Sequence, residues 1–184
     1  PKFPIGSDGE TALPLAIPPR SADAIPVTTL PYYPPIEANV SGHRLKFVFG
    51  GEERFALLLD VIAGARKALQ LCLYAFGIDA AGRRVVYALI EAQGRGVAVT
   101  VLVDGFGTVE QPDQIFVEML EAGINFARIE PRYGRRYLLR NHQKMLIADG
   151  KCAVIGGSNI EDAYSADDNA AHIWHDVYQL IEGD

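Results

Sequence analysis

Asn141-His142-Gln143-Lys144-Met145-Leu146-Ile147-Ala148-Asp149-Gly150, continued by Lys151-Cys152-Ala153-Val154-Ile155-Gly156-Gly157-Ser158-Asn159, decides how this chain is read. Lys144–Ala148 and Lys151–Ile155 are short β-rich runs, and Asp149-Gly150 between them has the residue types of a two-residue hairpin turn. His142 and Lys144 stand two residues apart, so on a strand their side chains leave one face. A turn that pairs Ala148 with Lys151 sets His142 opposite Gly157 and Arg140 opposite Asn159. Directly opposed residues share a face, which brings Asn159 to the side of His142 and Lys144. An imidazole, an ammonium and an amide then converge beside two small glycines that leave the patch open. Such a donor set suits a phosphate.

Outward from the hairpin, strands and helices alternate. Leu45–Phe49 reads as a short strand broken by Gly50-Gly51. Glu52–Leu69 reads as an amphipathic helix, with Phe55, Leu58, Leu59, Ile62, Ala65 and Leu69 at helical spacing. Gln70–Phe76 is a buried strand, and Arg83–Gln93 a helix stopped by Gly94 and Gly96. Val97–Val103 is a continuous apolar run, as a strand covered on both faces requires. Pro112–Ala122 makes a third helix ended by Gly123, Ile124–Ile129 returns as a strand, and Asp176–Ile181 adds another. The alternation predicts an α/β domain, layered α/β/α around a central mixed sheet.

Nine of the eleven prolines fall between Pro1 and Pro35, which excludes a regular helix or central strand there. Residues 1–42 are therefore read as a Pro-rich extended lead and residues 43–184 as one catalytic domain. The net charge of −6 disfavours a surface built for bulk nucleic-acid binding. No apolar run approaches bilayer length, so the chain as given is expected to be soluble. It begins at Pro1 rather than Met, as a processed product would, and an upstream membrane segment is compatible with that. Cys72 and Cys152 sit in apolar runs without ligand-type spacing and are expected as buried free thiols.

His142, Lys144, Asp149, Gly156, Gly157 and Asn159 together fill H-x-K-x-x-x-x-D with a trailing G-G-x-N, and this resembles the signature of the phospholipase D superfamily. A lone H-x-K-x4-D arises by chance fairly often; its joining to Gly156-Gly157-Ser158-Asn159 makes the match specific. Leu71-Cys72-Leu73-Tyr74-Ala75-Phe76, Leu102-Val103-Asp104-Gly105-Phe106-Gly107, Arg140 and Trp174-His175-Asp176 extend the likeness over roughly residues 43–184. The layout looks most like the bacterial cardiolipin synthase branch. A bacterial parent protein, cytoplasmic or peripheral to the inner membrane, is the expectation that follows.

The resemblance implies that His142 attacks a phosphodiester and forms a covalent phospho-histidine. Neutral imidazole avoids the repulsion that an anionic nucleophile would meet. Asp176 matches the family's histidine-orienting carboxylate, and Lys144 and Asn159 would bind the non-bridging oxygens, with Gly157, Ser158 and Arg140 beside them. Asp149 completes the catalytic signature, yet it occupies the turn and is expected mainly to hold the hairpin. Arg128, Arg132, Arg135, Arg136 and Arg140 form a cationic approach to His142, interleaved with Tyr133 and Tyr137. His172 and His175 lack the partners of a metal site, so no metal and no cofactor is expected.

Two-motif members of the superfamily join two such sets, one histidine attacking while the other protonates the leaving alcohol. This chain has one set. The expected partners are a phospholipid substrate and a second motif-bearing half, in the same polypeptide or in a symmetric dimer, with peripheral membrane association compatible and nucleic acid disfavoured. The leading expectation is phosphatidyl transfer or hydrolysis on phospholipids, the isolated chain being inactive. The alternatives are a single-motif homodimeric phosphodiesterase or nuclease, and a head-group binding module without turnover.

Overall fold

In a computed structural model, which describes residues 33–108, 114–129, 140–165 and 174–183, the hairpin lies inside an eight-stranded mixed sheet. The chain runs β1 (Ile36–Val40), β2 (His43–Val48), α1 (Gly51–Gly64), β3 (Ala68–Leu73), α2 (Ala80–Gly94) and β4 (Ala98–Asp104). It continues through α3 (Gln114–Glu121), β5 (Asn125–Ile129), β6 (Met145–Ala148), β7 (Cys152–Gly156), α4 (Asp162–Ser165) and β8 (Tyr178–Glu182). Across the sheet the order is β1-β2-β8-β7-β6-β3-β4-β5. Only the β3–β4 and β4–β5 pairings are parallel, joined through α2 and α3; the other pairings are antiparallel.

The strand alternation decides where the core sits. Leu69, Leu71 and Leu73 of β3 align with Val99, Val101 and Val103 of β4 and with Leu146 and Ala148 of β6. On that face they join Phe55, Leu58 and Ile62 of α1, Val85 and Leu89 of α2, and Ile115 and Met119 of α3 in one core. A fully buried Val or Leu stabilises by about 1.5–3 kcal/mol relative to exposure, so this face carries most of the fold's driving force. The opposite face presents Gln70, Thr100, Leu102, Ile147 and Ile155, which are half-buried or exposed. The α/β class and mixed sheet agree with the sequence reading. The second helical layer does not occur among the described residues, where α1, α2 and α3 cover one face.

Three boundaries differ from expectation. The sheet starts at β1, inside the stretch read as a lead, because Ile36–Val40 pairs residue for residue with His43–Phe47; residues 1–32 of that lead lie outside the described residues. Helix α1 ends at Gly64, not Leu69, and Leu69 instead opens the buried register of β3. The hairpin pairs Ala148 with Cys152 rather than Lys151. Asp149 and Gly150 both adopt positive φ, 56° and 69°, and the Lys151 amide still closes back on the Ala148 carbonyl at 3.1 Å. Lys151 is therefore one residue too many, and the ladder beyond it shifts by one: Gly156, not Ile155, meets Lys144, its amide donating to the Lys144 carbonyl at 3.2 Å.

Candidate active site

The end of the sheet that gathers the motif is where β3 and β4 finish, β6 and β8 begin, and β7 exits. Loops at the carboxyl ends of parallel strands are the ordinary place for a ligand in such folds. Asp104 closes β4 there, buried to 2% exposure. Its Oδ1 accepts from the Phe106 amide at 2.9 Å, and its Oδ2 from the Asn141 amide at 2.8 Å. One carboxylate thus holds both the turn after β4 and the chain that leads into His142. The Asn141 side-chain amide donates to Cys72 Sγ at 3.1 Å, a second tie to the sheet.

His142 is exposed and Lys144 is buried, at 5%. The lysine Nζ lies 3.1 Å from His142 Nδ1 and 3.4 Å from Nε2, and donates to the His142 carbonyl at 3.1 Å. Tyr74, just past β3, stands against both: its ring centroid is 4.5 Å from that of His142, and Lys144 Nζ lies 5.3 Å from it. Burial pushes the Lys144 ammonium below its ordinary pKa, and the Asp176 carboxylate opposes that shift.

Asp176 does not bond His142. Its Oδ1 accepts from the Val177 amide at 2.6 Å and from the Gly157 amide at 3.2 Å. A Cβ on Gly157 would lie 2.5 Å from Asp176 Oδ2, so glycine is what lets the carboxylate approach this closely. Gly156 is filled in the same way, by the ring of Tyr178. The two glycines therefore admit Asp176 and Tyr178, just before and at the start of β8, into the space the sequence reading expected to be open. Tyr178 is buried, and its phenol is pushed up to about 12 by that burial.

Asn159 reaches the site end by its own route: its Oδ1 accepts from the Ala75 amide at 3.2 Å, and Gly77 donates to the Ile160 carbonyl at 2.7 Å. The segment after β7 is thus laced to the segment after β3, next to Tyr74. Ser158 is 2% exposed and its hydroxyl has no hydrogen-bond partner of ordinary geometry, although its proximity favours the ionised form of the Tyr178 phenol. A side chain so enclosed does not present itself to substrate, which corrects its expected binding role.

Asp149 stands at the other end of β6. Its Oδ1 accepts from the amides of Lys67 and Ala68 at 2.7 and 2.9 Å, and its Oδ2 from Arg66 at 2.9 Å. Those three donors hold its carboxyl below the usual range. Its place in the signature is structural, a clamp between the hairpin turn and the α1–β3 junction, and the catalytic assignment is corrected accordingly.

Of the expected cationic approach, Arg140 lies over the Phe106 ring at 4.3 Å, beside the site, whereas Arg128 faces Phe116 of α3. Arg132, Tyr133, Arg135, Arg136 and Tyr137 lie outside the described residues, as does His172. Cys72 is buried and Cys152 half-buried, both as free thiols. No helix among the described residues is long and apolar enough to cross a membrane.

Sequence reasoning passed over Arg54, which is 2% exposed on α1. It stands on the same helical stripe as Leu58 and Ile62, spaced by four residues, and a charge on an apolar stripe was the available signal. Its guanidinium donates to the carbonyls of Phe49, Asp176, Tyr164 and Trp174. Burying a charge costs several kcal/mol unless its donors are met, and four carbonyls accept from its two terminal nitrogens here.

Comparison with known proteins agrees with the motif. Residues 58–180 match the family model described as cardiolipin synthase, PLD-like domain. Cardiolipin synthase 1 of Bacillus cereus is 31% identical over 142 residues, covering 75% of this chain and 28% of the relative. The chain therefore spans little more than a quarter of that relative's length. Among solved structures, phosphatidylserine synthase of Haemophilus influenzae superposes with a TM-score of 0.61 at 18% identity, over 81% of this chain and 35% of the other. Nuc of Salmonella typhimurium, a phospholipase D family member, gives 0.55 at 20% identity over 76% and 84%. These two likenesses speak for the fold alone. The sequence match extends over two thirds of the chain and includes His142, Lys144, Asp149 and Asn159, and on it the chain belongs to the cardiolipin synthase, PLD-like domain family of the phospholipase D superfamily.

Proposed function

We propose that this chain is one catalytic half of a phosphatidyl-transferring enzyme acting on phospholipids. The observation that carries the reading is the juxtaposition of an exposed imidazole with a buried ammonium 3.1 Å away. In the first step a ring nitrogen of His142 attacks phosphorus. A P–N bond forms as the P–O bond to the leaving alcohol breaks, and that alcohol takes a proton from a general acid. In the second step a lipid hydroxyl, or water, attacks phosphorus; the P–N bond breaks, and the proton of the attacking hydroxyl passes to the same group, now a base. Lys144 and Asn159 bind the non-bridging oxygens, and Arg140 borders the entry. The general acid is a second histidine from a second motif-bearing half.

Among the described residues the Asp176 carboxylate accepts from the Gly157 and Val177 amides rather than from His142. The test is trapping with radiolabelled phospholipid in an assembly that holds both halves, followed by acid-labile phosphopeptide mapping. Label is expected on His142, with His142→Ala abolishing turnover. Label on any other residue of this chain, with His142 unmodified, overturns the mechanism.

A further inference from the structure

Arg54 gathers four backbone carbonyls from three separate stretches of chain. Its Nη1 donates to Phe49, at the entry to α1, and to Asp176 at 2.7 Å. Its Nη2 donates to Tyr164 in α4 at 2.9 Å and to Trp174 at 3.4 Å. Tyr164 and Trp174 are stacked with ring centroids 6.0 Å apart, and the Trp174 amide donates to the Ala163 carbonyl at 2.9 Å. The stretch from Trp174 to Asp176 precedes β8 and has no strand ladder of its own. Besides the Trp174 ties to α4, it is held by this guanidinium at one side and, at the other, by the bonds from the Gly157 and Val177 amides to the Asp176 carboxylate. Asp176 is thus held twice, by its carbonyl and by its side chain.

We infer that Arg54 is a positioning residue of the phosphate site: it fixes the backbone at Asp176, so that the carboxylate stays on Gly157 at the end of the sheet where His142 and Lys144 meet. The inference rests on reading His142 and Lys144 as the phosphate-binding pair. A planar guanidinium fork suits several carbonyls in fixed directions, which a lysine ammonium on a flexible stem does not reproduce. Loss of the fork frees residues 174–176, weakens the carboxylate's support of the Lys144 charge, and so weakens the hold on an anion.

The experiment uses the full chain, inorganic phosphate as probe, and the variants Arg54→Lys, Asp176→Asn and the pair combined. In Arg54→Lys the amide resonances of Gly157 and Val177 are expected to shift, the Lys144 ammonium to titrate at lower pH, and the phosphate dissociation constant to rise about tenfold, the scale on which outer partners tune a charged site. Asp176→Asn is expected to do the same, and Arg54→Lys to add nothing in its background. Unchanged Gly157 and Val177 amides in Arg54→Lys, or a second tenfold loss on top of Asp176→Asn, overturns the inference. If the wild-type chain binds no phosphate, the reading of the site fails, while the amide and Lys144 shifts still decide the role of Arg54. If Arg54→Lys does not fold, the wild-type protein decides. Separate, slowly exchanging Arg54 Nη protons that move on phosphate addition are expected, and a single averaged signal indifferent to phosphate overturns it.

Discussion

Lys144 bears a charge where the fold would prefer none. Its side chain leaves the strand on the core face, in line with Leu146, and burial lowers its pKa from 10.5. Folding therefore carries the desolvation of the ammonium. Between the lowered folded pKa and 10.5 the folded state has released its proton while the unfolded state keeps it. Stability therefore rises with pH through that window. Lys144→Met is expected to raise stability at pH 7 by about 1 kcal/mol, the usual size of a stabilising exchange at a functional position, while abolishing phosphate binding. The gain should shrink as pH approaches the upper end of the window. Denaturant unfolding at a series of pH values checks both parts, and a destabilised variant with a wild-type pH slope would contradict them.

The β6–β7 hairpin shows what an element owes to a distant residue. Asp149 holds the amides of residues 66–68, some eighty positions earlier, and its carboxyl is lowered below 3.8 by them. A folded pKa depressed in this way gives stability that is present above the unfolded value and lost as pH falls through the folded one. Asp149→Asn tolerates the positive φ of 56° but loses the anionic acceptor. It should lower Tm by several degrees at pH 7, lose less on acidification than the wild type, and leave phosphate binding intact. Thermal melts at pH 7 and pH 3, with phosphate titration at pH 7, check this.

The same element shows how far the sequence could be read. The β-branched runs and Asp-Gly announced the hairpin, and its motif announced the site, because both are local. The register was out by one because two consecutive positive-φ residues followed by an extra Lys151 is a turn that composition does not separate from a two-residue turn. Helix α1 was read too long because Leu69 fits a helical period, while the Asp149 clamp holds residues 66–68 at the bend that opens β3. The tie of Asp104 to Asn141 and the reach of Arg54 join residues 37 and more than 100 apart, and no local pattern encodes them.

At the scale of the molecule, the proposed mechanism makes the chain one part of a larger chemical unit. It offers the exposed imidazole of His142 at the end of a sheet whose second face is half open. Added alone to phosphatidylglycerol vesicles, it should turn over little, since leaving-group protonation contributes about 10²–10⁴-fold and the proposed mechanism draws its donor from a second half. Supplying a second motif-bearing half, or concentrating the chain until two copies pair, should restore a rate that tracks assembly. Sedimentation velocity and lipid turnover over one concentration series check the correspondence. Full turnover by a strictly monomeric chain would show that one motif suffices.

The stack of Trp174 on Tyr164 gives the protein an optical property. The chain has a single tryptophan, so its red-edge-excited emission comes from one indole, 61% exposed and two residues before Asp176. Every other aromatic is silent at that wavelength. Intensity and colour therefore report on the junction into β8 without any label. Arrival of an anion, docking of a second half, or local melting of residues 174–176 should each be readable as a change in the light from that ring.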